Sequence, residues 1–273
     1  MLSLLLLGNT ILVNAQNSAI QVTKTGKGRP IVFLPGFTCP GTVWNDCIEK
    51  LKGTYAVHIV SYAGFDGLAP IKMPWYSAIK QELIDYIKDN QLQDISIVGH
   101  SMGGTLGLDI AASMPTEIKK LLVVDGLPCM RNLMMPGTSA EQMKYDNPYN
   151  KQQINMDAKS FAKNVSYFAK GLTNDSIKRE VIMQWMIKAD RETYVYGYTD
   201  LLKLDLRPDL KNIQAKVLVI AASFPDATAV QKTLDSQFKN LAVKTLTIAP
   251  NSNHFVFFDQ PEWFYEQMNN FLK

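Results

Sequence analysis

Short apolar segments alternate with helical segments along most of this chain, and that alternation constrains the fold more than any other feature of the sequence. Nearly every residue of a short segment is apolar, as in Ile-Val-Phe-Leu at 31–34. Strands of this kind are buried on both faces, which is typical of a parallel sheet covered by helices on both sides. We therefore predict an α/β fold with a mostly parallel central sheet. The predicted strands are residues 30–34, 55–62, 95–98, 121–124, 217–221 and 243–248.

Between residues 127 and about 199 the alternation stops and the apolar spacing becomes purely helical. Phe161, Val165 and Phe168, for example, recur on one face of a predicted helix. A helical segment between two strands of a sheet is typical of an inserted cap. The predicted organisation is a core of residues 16–128 and 199–273 with a helical cap of residues 129–198.

The composition is that of an ordinary globular protein. Of the 273 residues, 47% are hydrophobic and 19% are charged, which is enough apolar material for a large core. The formal net charge of +3 is too small to indicate nucleic acid or an anionic membrane surface as a partner. We expect no nucleic-acid partner and no stable membrane insertion of the mature chain.

The N-terminus differs in kind from the rest of the chain. Residues 2–7 are almost wholly apolar, and Val13, Asn14 and Ala15 resemble a signal-peptidase site, although the usual basic residues are missing. We interpret residues 1–15 as a signal peptide, which predicts a secreted or periplasmic protein. The alternative is a loosely packed N-terminal strand, in which case the protein is expected to be cytoplasmic.

Three cysteines give little further constraint. Cys39 and Cys47 are close enough in sequence to form a disulfide in an oxidising compartment, which would leave Cys129 unpaired. Neither CxxC spacing nor a Cys/His cluster predicts a metal site. We interpret all three as small buried residues.

The five residues from Gly99 to Gly103, Gly-His-Ser-Met-Gly, match the G-x-S-x-G pattern between a predicted strand and a predicted helix. A serine hydroxyl is a poor nucleophile unless it is held away from the backbone and within reach of a base, which a sharp strand-to-helix turn achieves. That turn strains the serine backbone and brings strand and helix close together, so glycine at both ends avoids a clash. The pattern predicts that Ser101 is a nucleophile.

The segment Gly-His-Ser-Met-Gly-Gly at 99–104 resembles the elbow of α/β-hydrolase-fold enzymes, and the resemblance runs from about Ile31 to the C-terminus. It implies the α/β-hydrolase fold with a helical cap and a Ser-His-Asp triad. It implies an acyl-enzyme mechanism that needs neither a metal nor an organic cofactor. Haloalkane dehalogenases and epoxide hydrolases carry aspartate at the elbow, so Ser101 argues against their chemistry.

Three histidines are the candidates for the general base. His100 lies beside the nucleophile in sequence but is expected to point away from it, and His58 lies in a predicted strand, as a buried core histidine would. His254 follows the last predicted strand, on a loop at the carboxyl edge of the sheet. The family carries its catalytic histidine there, so we predict His254 as the base.

The resemblance also places an oxyanion hole. The segment Leu-Pro-Gly-Phe at 34–37 lies where the family has its first oxyanion loop, with proline where many relatives have histidine. Because the hole needs backbone N–H groups, the replacement leaves the donors in place. The implied donors are the N–H groups of Phe37 and Met102. An ordinary Pro-Gly turn is the alternative for the first loop.

The triad acid has two candidates. The family usually supplies it after the strand that follows the cap, where Asp226 lies, but here the usual glycine is absent and the aspartate comes late. Asp226 could instead cap the next helix. Asp125 ends the strand before the cap, a position from which some α/β hydrolases take their acid. We favour Asp226 slightly and leave Asp125 as the alternative.

The predicted cap is rich in methionine and aromatic residues, with seven of the twelve methionines between Met130 and Met186. This composition suits a pocket for a small-molecule substrate with an apolar acyl or aromatic group, although packing within the cap explains many of these residues equally well. Trp185 in the cap and Phe65 in an early loop are the predicted substrate-binding residues.

We predict a carboxylesterase-like serine hydrolase that acts on an ester or similar acyl carbonyl. A lactonase, a carbon–carbon bond hydrolase, an aminopeptidase and a perhydrolase use the same triad on this fold and remain alternatives. A non-catalytic ligand-binding member of the fold is the alternative from a different class. The intact serine and histidine argue against it.

Overall fold

The computed structural model describes residues 17–273, so the predicted signal peptide, residues 1–15, lies outside the described residues. The strands are β1 Ile20–Gly26, β2 Arg29–Leu34, β3 Tyr55–Tyr62, β4 Ile95–His100, β5 Ile118–Val124, β6 Lys216–Ala221 and β7 Lys244–Ile248. The helices are α1 Asn45–Glu49, α2 Trp75–Asp89, α3 Met102–Ser113, α4 Met130–Met134, α5 Pro148–Asn155, α6 Ala158–Ala169, α7 Ser176–Lys188, α8 Tyr198–Lys203, α9 Ala227–Gln237, α10 Val256–Asp259 and α11 Pro261–Leu272.

Seven strands of the described chain form one sheet in the order β1-β3-β2-β4-β5-β6-β7. β1 is antiparallel to β3, and every other neighbouring pair is parallel. The prediction of a mostly parallel sheet is confirmed. β1 was not predicted, because its sequence is largely polar and most of its residues are exposed at the edge of the sheet.

Apolar side chains cover both faces of the sheet. Along β2, Val32 and Leu34 belong to one core layer together with residues of α2 and α3, whereas Ile31 and Phe33 belong to the other together with residues of α1 and α11. Successive side chains of a strand point to opposite faces, so an unbroken apolar run supplies both layers. The predicted helices on both faces are confirmed.

The chain between β5 and β6 contains the helices α4 to α8. It returns to the core through a π-helical turn at Thr193–Gly197 that continues into α8. The buried carboxylate of Asp200 in α8 accepts hydrogen bonds from the backbone N–H groups of Trp75 at 2.8 Å and Tyr76 at 3.3 Å. Because these are the first two residues of α2, where N–H groups lack helical partners, Asp200 ties the returning segment to the core.

Parallel strands place their carboxyl ends at the same edge of the sheet. At this edge the loops after β2, β4, β5 and β7 carry Phe37, Ser101, Asp125 and His254 respectively. Four residues far apart in sequence therefore meet above the centre of the sheet.

Candidate active site

Ser101 lies at the sharp turn between β4 and α3. Its backbone has φ 53° and ψ −121°, a conformation that non-glycine residues rarely adopt, and its N–H donates to Val124 O at 2.8 Å. Backbone strain of this kind persists only where the surrounding structure enforces it, and it is concentrated at functional sites. The turn lifts the side chain of Ser101 to the wall of a cavity between the core and the helices that follow β5.

Close backbone contacts explain the two glycines of the motif. A Cβ atom on Gly99 would lie 2.3 Å from the carbonyl oxygen of Gly103, and one on Gly103 would lie 2.2 Å from the carbonyl oxygen of Leu34. Neither approach is compatible with a side chain, because the obstructing atoms belong to the backbone. The G-x-S-x-G spacing is therefore required by packing around the turn.

The imidazole of His254 pairs with Asp125. Nδ1 of His254 lies 2.6 Å from Oδ2 of Asp125, and Oδ1 of the same carboxylate accepts a hydrogen bond from Ala222 N at 2.8 Å. Asp125 N in turn donates to Ile220 O at 2.7 Å. The aspartate is thus held at the ends of two neighbouring strands, β5 and β6, while it orients the histidine.

Asp226, the acid favoured from the sequence, does not contact His254. Its carboxylate accepts a hydrogen bond from Ala229 N at 2.9 Å as the N-cap of α9, and its side chain is exposed. Its preference over Asp125 as the partner of His254 was wrong. The aspartate sits five residues beyond the end of β6, where it starts a helix, whereas Asp125 follows the end of β5 directly.

Ser101 and His254 line the same cavity. Because Asp125 occupies Nδ1 of the imidazole, Nε2 is the nitrogen that remains for the serine hydroxyl. Within residues 17–273 the hydroxyl of Ser101 makes no hydrogen bond to it. Catalytic hydrogen bonds are often long in unliganded enzymes and shorten when substrate binds.

His100 has a role that sequence reasoning missed. Its side chain is fully buried, its Nε2 lies 3.0 Å from the carbonyl oxygen of His254, and its ring packs 4.5 Å from the ring of Phe255. Burial, followed by the nearby imidazole of His254, lowers the pKa of His100 well below its usual value. The ring is therefore neutral and donates its Nε2 proton to the His254 carbonyl, which fixes the loop that carries His254.

The two predicted oxyanion donors flank Ser101. Met102 is the first residue of α3, so its N–H has no acceptor within the helix, and Phe37 follows Gly36, which packs against the Ser101 side chain. Among residues 17–273, neither N–H donates to another protein group. Both residues line the cavity, as an oxyanion hole requires.

An aromatic cluster holds the side chain of Phe37. The ring centroids of four other aromatic residues lie within 6 Å of the Phe37 ring. Two of the four, Tyr194 and Tyr198, belong to the returning helical segment, so that segment packs directly on the loop that carries Phe37. The four residues are Phe65, Trp75, Tyr194 and Tyr198.

Neither of the two predicted substrate-binding residues lines the cavity. Phe65 is only 1% exposed and packs edge-on against Phe37 at 4.9 Å. Trp185 packs against the core layer beneath α7, while its helical neighbours Ile182 and Met186 face the cavity. Both predictions were wrong, because the sequence does not specify which helix face or which loop layer borders the cavity.

The cavity has a volume of about 1220 Å³. Five of the seven methionines between residues 130 and 186 line it, as the composition of this region indicated. Aromatic side chains such as Phe161 and Phe168 line it as well. The lining methionines are Met130, Met134, Met135, Met143 and Met186.

The remaining candidate residues are structural. Cys39, Cys47 and Cys129 are free and buried, as expected, so the disulfide alternative for the first two is not formed. His58 is a buried core histidine, as predicted, with Nδ1 2.6 Å from the hydroxyl oxygen of Tyr86.

Comparison with known proteins places this geometry in a family. The chain is 26% identical over 257 residues to the pimeloyl-[acyl-carrier protein] methyl ester esterase of Legionella pneumophila strain Paris, covering 93% of this chain and 99% of the relative. An esterase from Exiguobacterium antarcticum superposes with a TM-score of 0.76 at 19% identity and covers 94% of this chain and 98% of its own. The enol-lactonase from Burkholderia xenovorans LB400 gives a TM-score of 0.76 at 17% identity, with 93% and 96% covered.

The two structural likenesses show the fold, and the family itself is shown by the sequence. Residues 31–267 match the sequence profile of the alpha/beta hydrolase family, a match that extends from β2 into α11. The chain belongs to the alpha/beta hydrolase family and is a hydrolase.

Proposed function

We propose that this protein is a serine carboxylic ester hydrolase in which Ser101 is the nucleophile, His254 the general base and Asp125 the triad acid. The observation that carries the proposal is the 2.6 Å pair between Asp125 and His254 beside Ser101 at one cavity. A carboxylate that binds Nδ1 fixes the tautomer in which Nε2 accepts a proton. The strained elbow and the two free N–H groups supply the other parts that acyl transfer requires.

In the proposed mechanism, Oγ of Ser101 attacks the acyl carbon while Nε2 of His254 takes the hydroxyl proton. The N–H groups of Phe37 and Met102 bind the resulting oxyanion. Collapse of the tetrahedral intermediate breaks the ester bond, and His254 gives its proton to the departing alcohol. Water, deprotonated by His254, then attacks the acyl-enzyme and releases the carboxylic acid with regeneration of Ser101.

The proposed substrate is an ester with an apolar acyl chain. A cavity of about 1220 Å³ with a methionine- and aromatic-rich lining suits such a chain, because methionine adapts its shape to the ligand. Relatives named as methyl ester esterases support ester over amide or carbon–carbon bond cleavage. Lactones are cyclic esters and belong among the substrates to be tested.

Labelling with a fluorophosphonate probe tests the nucleophile. The purified protein is expected to be labelled at Ser101, and Ser101→Ala is expected to lose both labelling and hydrolysis of p-nitrophenyl esters. A panel of acyl chain lengths, with lactones and peptidyl amides included, then ranks the substrate classes. A folded wild-type protein that the probe labels at no serine would contradict the proposal and favour a non-catalytic ligand-binding role.

A further inference from the structure

Exposed apolar side chains are concentrated at the mouth of the cavity. Among residues 17–273, ten large apolar side chains are exposed, and seven of these line the cavity, Tyr149 of α5 among them. Single exposed apolar residues are normal on a protein surface, but a cluster around one opening marks an interaction site. The other six, here called the apolar rim, are Leu133, Met134, Met135, Tyr167, Phe168 and Phe224.

The helix that carries Tyr167 and Phe168 also carries a row of positive charges. Lys159 and Lys163 of α6 and Lys170, the residue directly after its end, are all exposed, and we call these three the α6 lysines. Their spacing of four and seven residues places them along one face of the helix together with Tyr167. None of the three forms an ion pair within the described chain. Neither α4 nor α6 contains an acidic residue.

Acidic residues near the rim are few and mostly engaged. Asp157 caps the start of α6 through Ser160 N, Asp146 pairs with Lys151 at 2.6 Å, and Asp226 caps α9. Glu141 lies in the loop after α4 and accepts a side-chain hydrogen bond from Ser139. The net charge of +3 gives no sign of this local excess of lysine, because it averages over the whole chain.

We propose that the apolar rim and the α6 lysines dock on an anionic lipid surface, so that an ester with an apolar tail enters the cavity directly from the bilayer. The identity of the substrate as an ester rests on the proposed function, whereas the docking itself does not. Apolar and aromatic side chains that insert at the interface, with lysines that contact anionic headgroups, are the features of peripheral membrane binding. Within residues 17–273 there is no helix with the length and apolarity needed to cross a bilayer.

A protein partner fits these observations less well. Protein interfaces are enriched in arginine, which binds carboxylates and phosphates in a fixed two-pronged geometry. The rim elements α4 and α6 contain one arginine between them, Arg131, and it is buried, with its guanidinium bound to the carbonyl oxygens of Thr138 and Leu202. Lysines on flexible stems suit the diffuse charge of a lipid surface better.

Vesicle flotation with the full-length Ser101→Ala variant measures docking without turnover. We expect weak binding to vesicles of phosphatidylcholine and binding at least about tenfold tighter to vesicles of equal parts phosphatidylcholine and phosphatidylglycerol. Lys159→Glu/Lys163→Glu is expected to weaken the affinity for the anionic vesicles at least about tenfold. Since neither lysine lines the cavity, the same substitutions in the wild-type background should leave hydrolysis of a soluble short ester unchanged.

Matched controls separate docking from general charge and apolarity. Lys27→Glu/Lys239→Glu makes the same change of charge at exposed sites near the opposite edge of the sheet, before β2 and β7, and should leave binding intact. Met134→Ser/Phe168→Ser removes two rim side chains and should weaken binding to both vesicles. Val243→Ser removes an exposed apolar side chain just before β7 and should not. Circular dichroism verifies that each variant is folded.

Absence of binding to the anionic vesicles would overturn the inference, as would equal losses in the rim and control variants. If the protein binds an acidic carrier protein but does not bind the vesicles, that result would also overturn the inference, in favour of a protein partner. Docking is measured with Ser101→Ala and esterase activity with the wild type. Failure of one proposal can therefore be distinguished from failure of the other.

Discussion

The carbonyl oxygen of His254 accepts its hydrogen bond from a buried side chain that no catalytic motif assigns. His100 Nε2 lies 3.0 Å from that oxygen, and the two imidazole rings are 4.6 Å apart. We therefore propose His100 as a positioning residue, which holds the backbone of the loop that carries His254, the proposed general base.

Replacement of His100 by leucine should lower kcat about 10- to 100-fold with little change in KM. The reason is that the leucine leaves the His254 carbonyl without a donor and lets the base shift, and shifts of about 1 Å can cost about 100-fold in rate. Steady-state kinetics on a soluble ester provides the measurement. His100→Gln keeps an N–H donor near the same place and should recover a large part of the rate. A folded His100→Leu enzyme with wild-type kcat would show that the contact is only structural.

At this scale the sequence predicted that Ser101 and His254 share one site, but it favoured the wrong aspartate as the partner of His254. Ser101 and His254 are marked by local signals, the glycines around the turn and a loop after the last strand. Asp125 and Asp226 follow β5 and β6, which are neighbours in the sheet. Their positions in the sequence alone therefore allow either carboxylate to reach the imidazole of His254. Only the turn at Asp125, with φ 47° and Ala222 N bound to its carboxylate, decides which one does.

At the scale of elements, the returning helical segment packs on the loop after β2, which carries Phe37. Gly197, at the end of the π-helical turn, lies where a Cβ atom would be 3.2 Å from Trp75 Cε3 and 3.3 Å from Phe37 Cε2. The segment therefore reaches the ring of Phe37, the proposed first oxyanion donor.

Gly197→Ala should lower kcat several-fold and destabilise the protein by about 1–3 kcal/mol, because the added methyl group must displace the Phe37 or Trp75 ring. A thermal melt and the kcat for a soluble ester measure the two effects. Gly171→Ala is the matched control: its Cβ would meet its nearest neighbour, Phe168 O, at 3.9 Å, an ordinary contact. Wild-type kcat and melting temperature for Gly197→Ala would contradict a coupling between this turn and the oxyanion loop.

Elements with strong apolar patterns were predictable and those without were not. The predicted strands correspond to β2 through β7. Burial on both faces explains the continuous apolar runs of the inner strands β2, β4, β5 and β6. β1 escaped prediction because an edge strand with one partner needs no such run. The segment between β5 and β6 was predictable as helical, but Trp185 shows that the helix face turned toward the cavity depends on tertiary packing that periodicity does not reveal.

For the molecule as a whole, the topology of the sheet explains the site. β2, β4, β5 and β6 are consecutive and parallel, so the loops that follow them open at one edge, and β7 brings the loop of His254 to the same edge. The helical segment inserted between β5 and β6 then encloses this edge and supplies the apolar lining and rim. The three residues of the proposed triad thus lie on loops of the core, whereas the helices after β5 supply most of the cavity lining.

The most direct test of this account compares two aspartates that carry the same substitution. Asp125→Asn should lower kcat by a factor on the order of 1,000 to 10,000, because the asparagine no longer holds His254 in the productive tautomer or stabilises its charged form. Asp226→Asn should retain wild-type kcat, since asparagine caps a helix about as well as aspartate. Steady-state hydrolysis of one p-nitrophenyl ester by the two folded variants decides the matter: a large loss in Asp226→Asn with none in Asp125→Asn would contradict the triad proposed here.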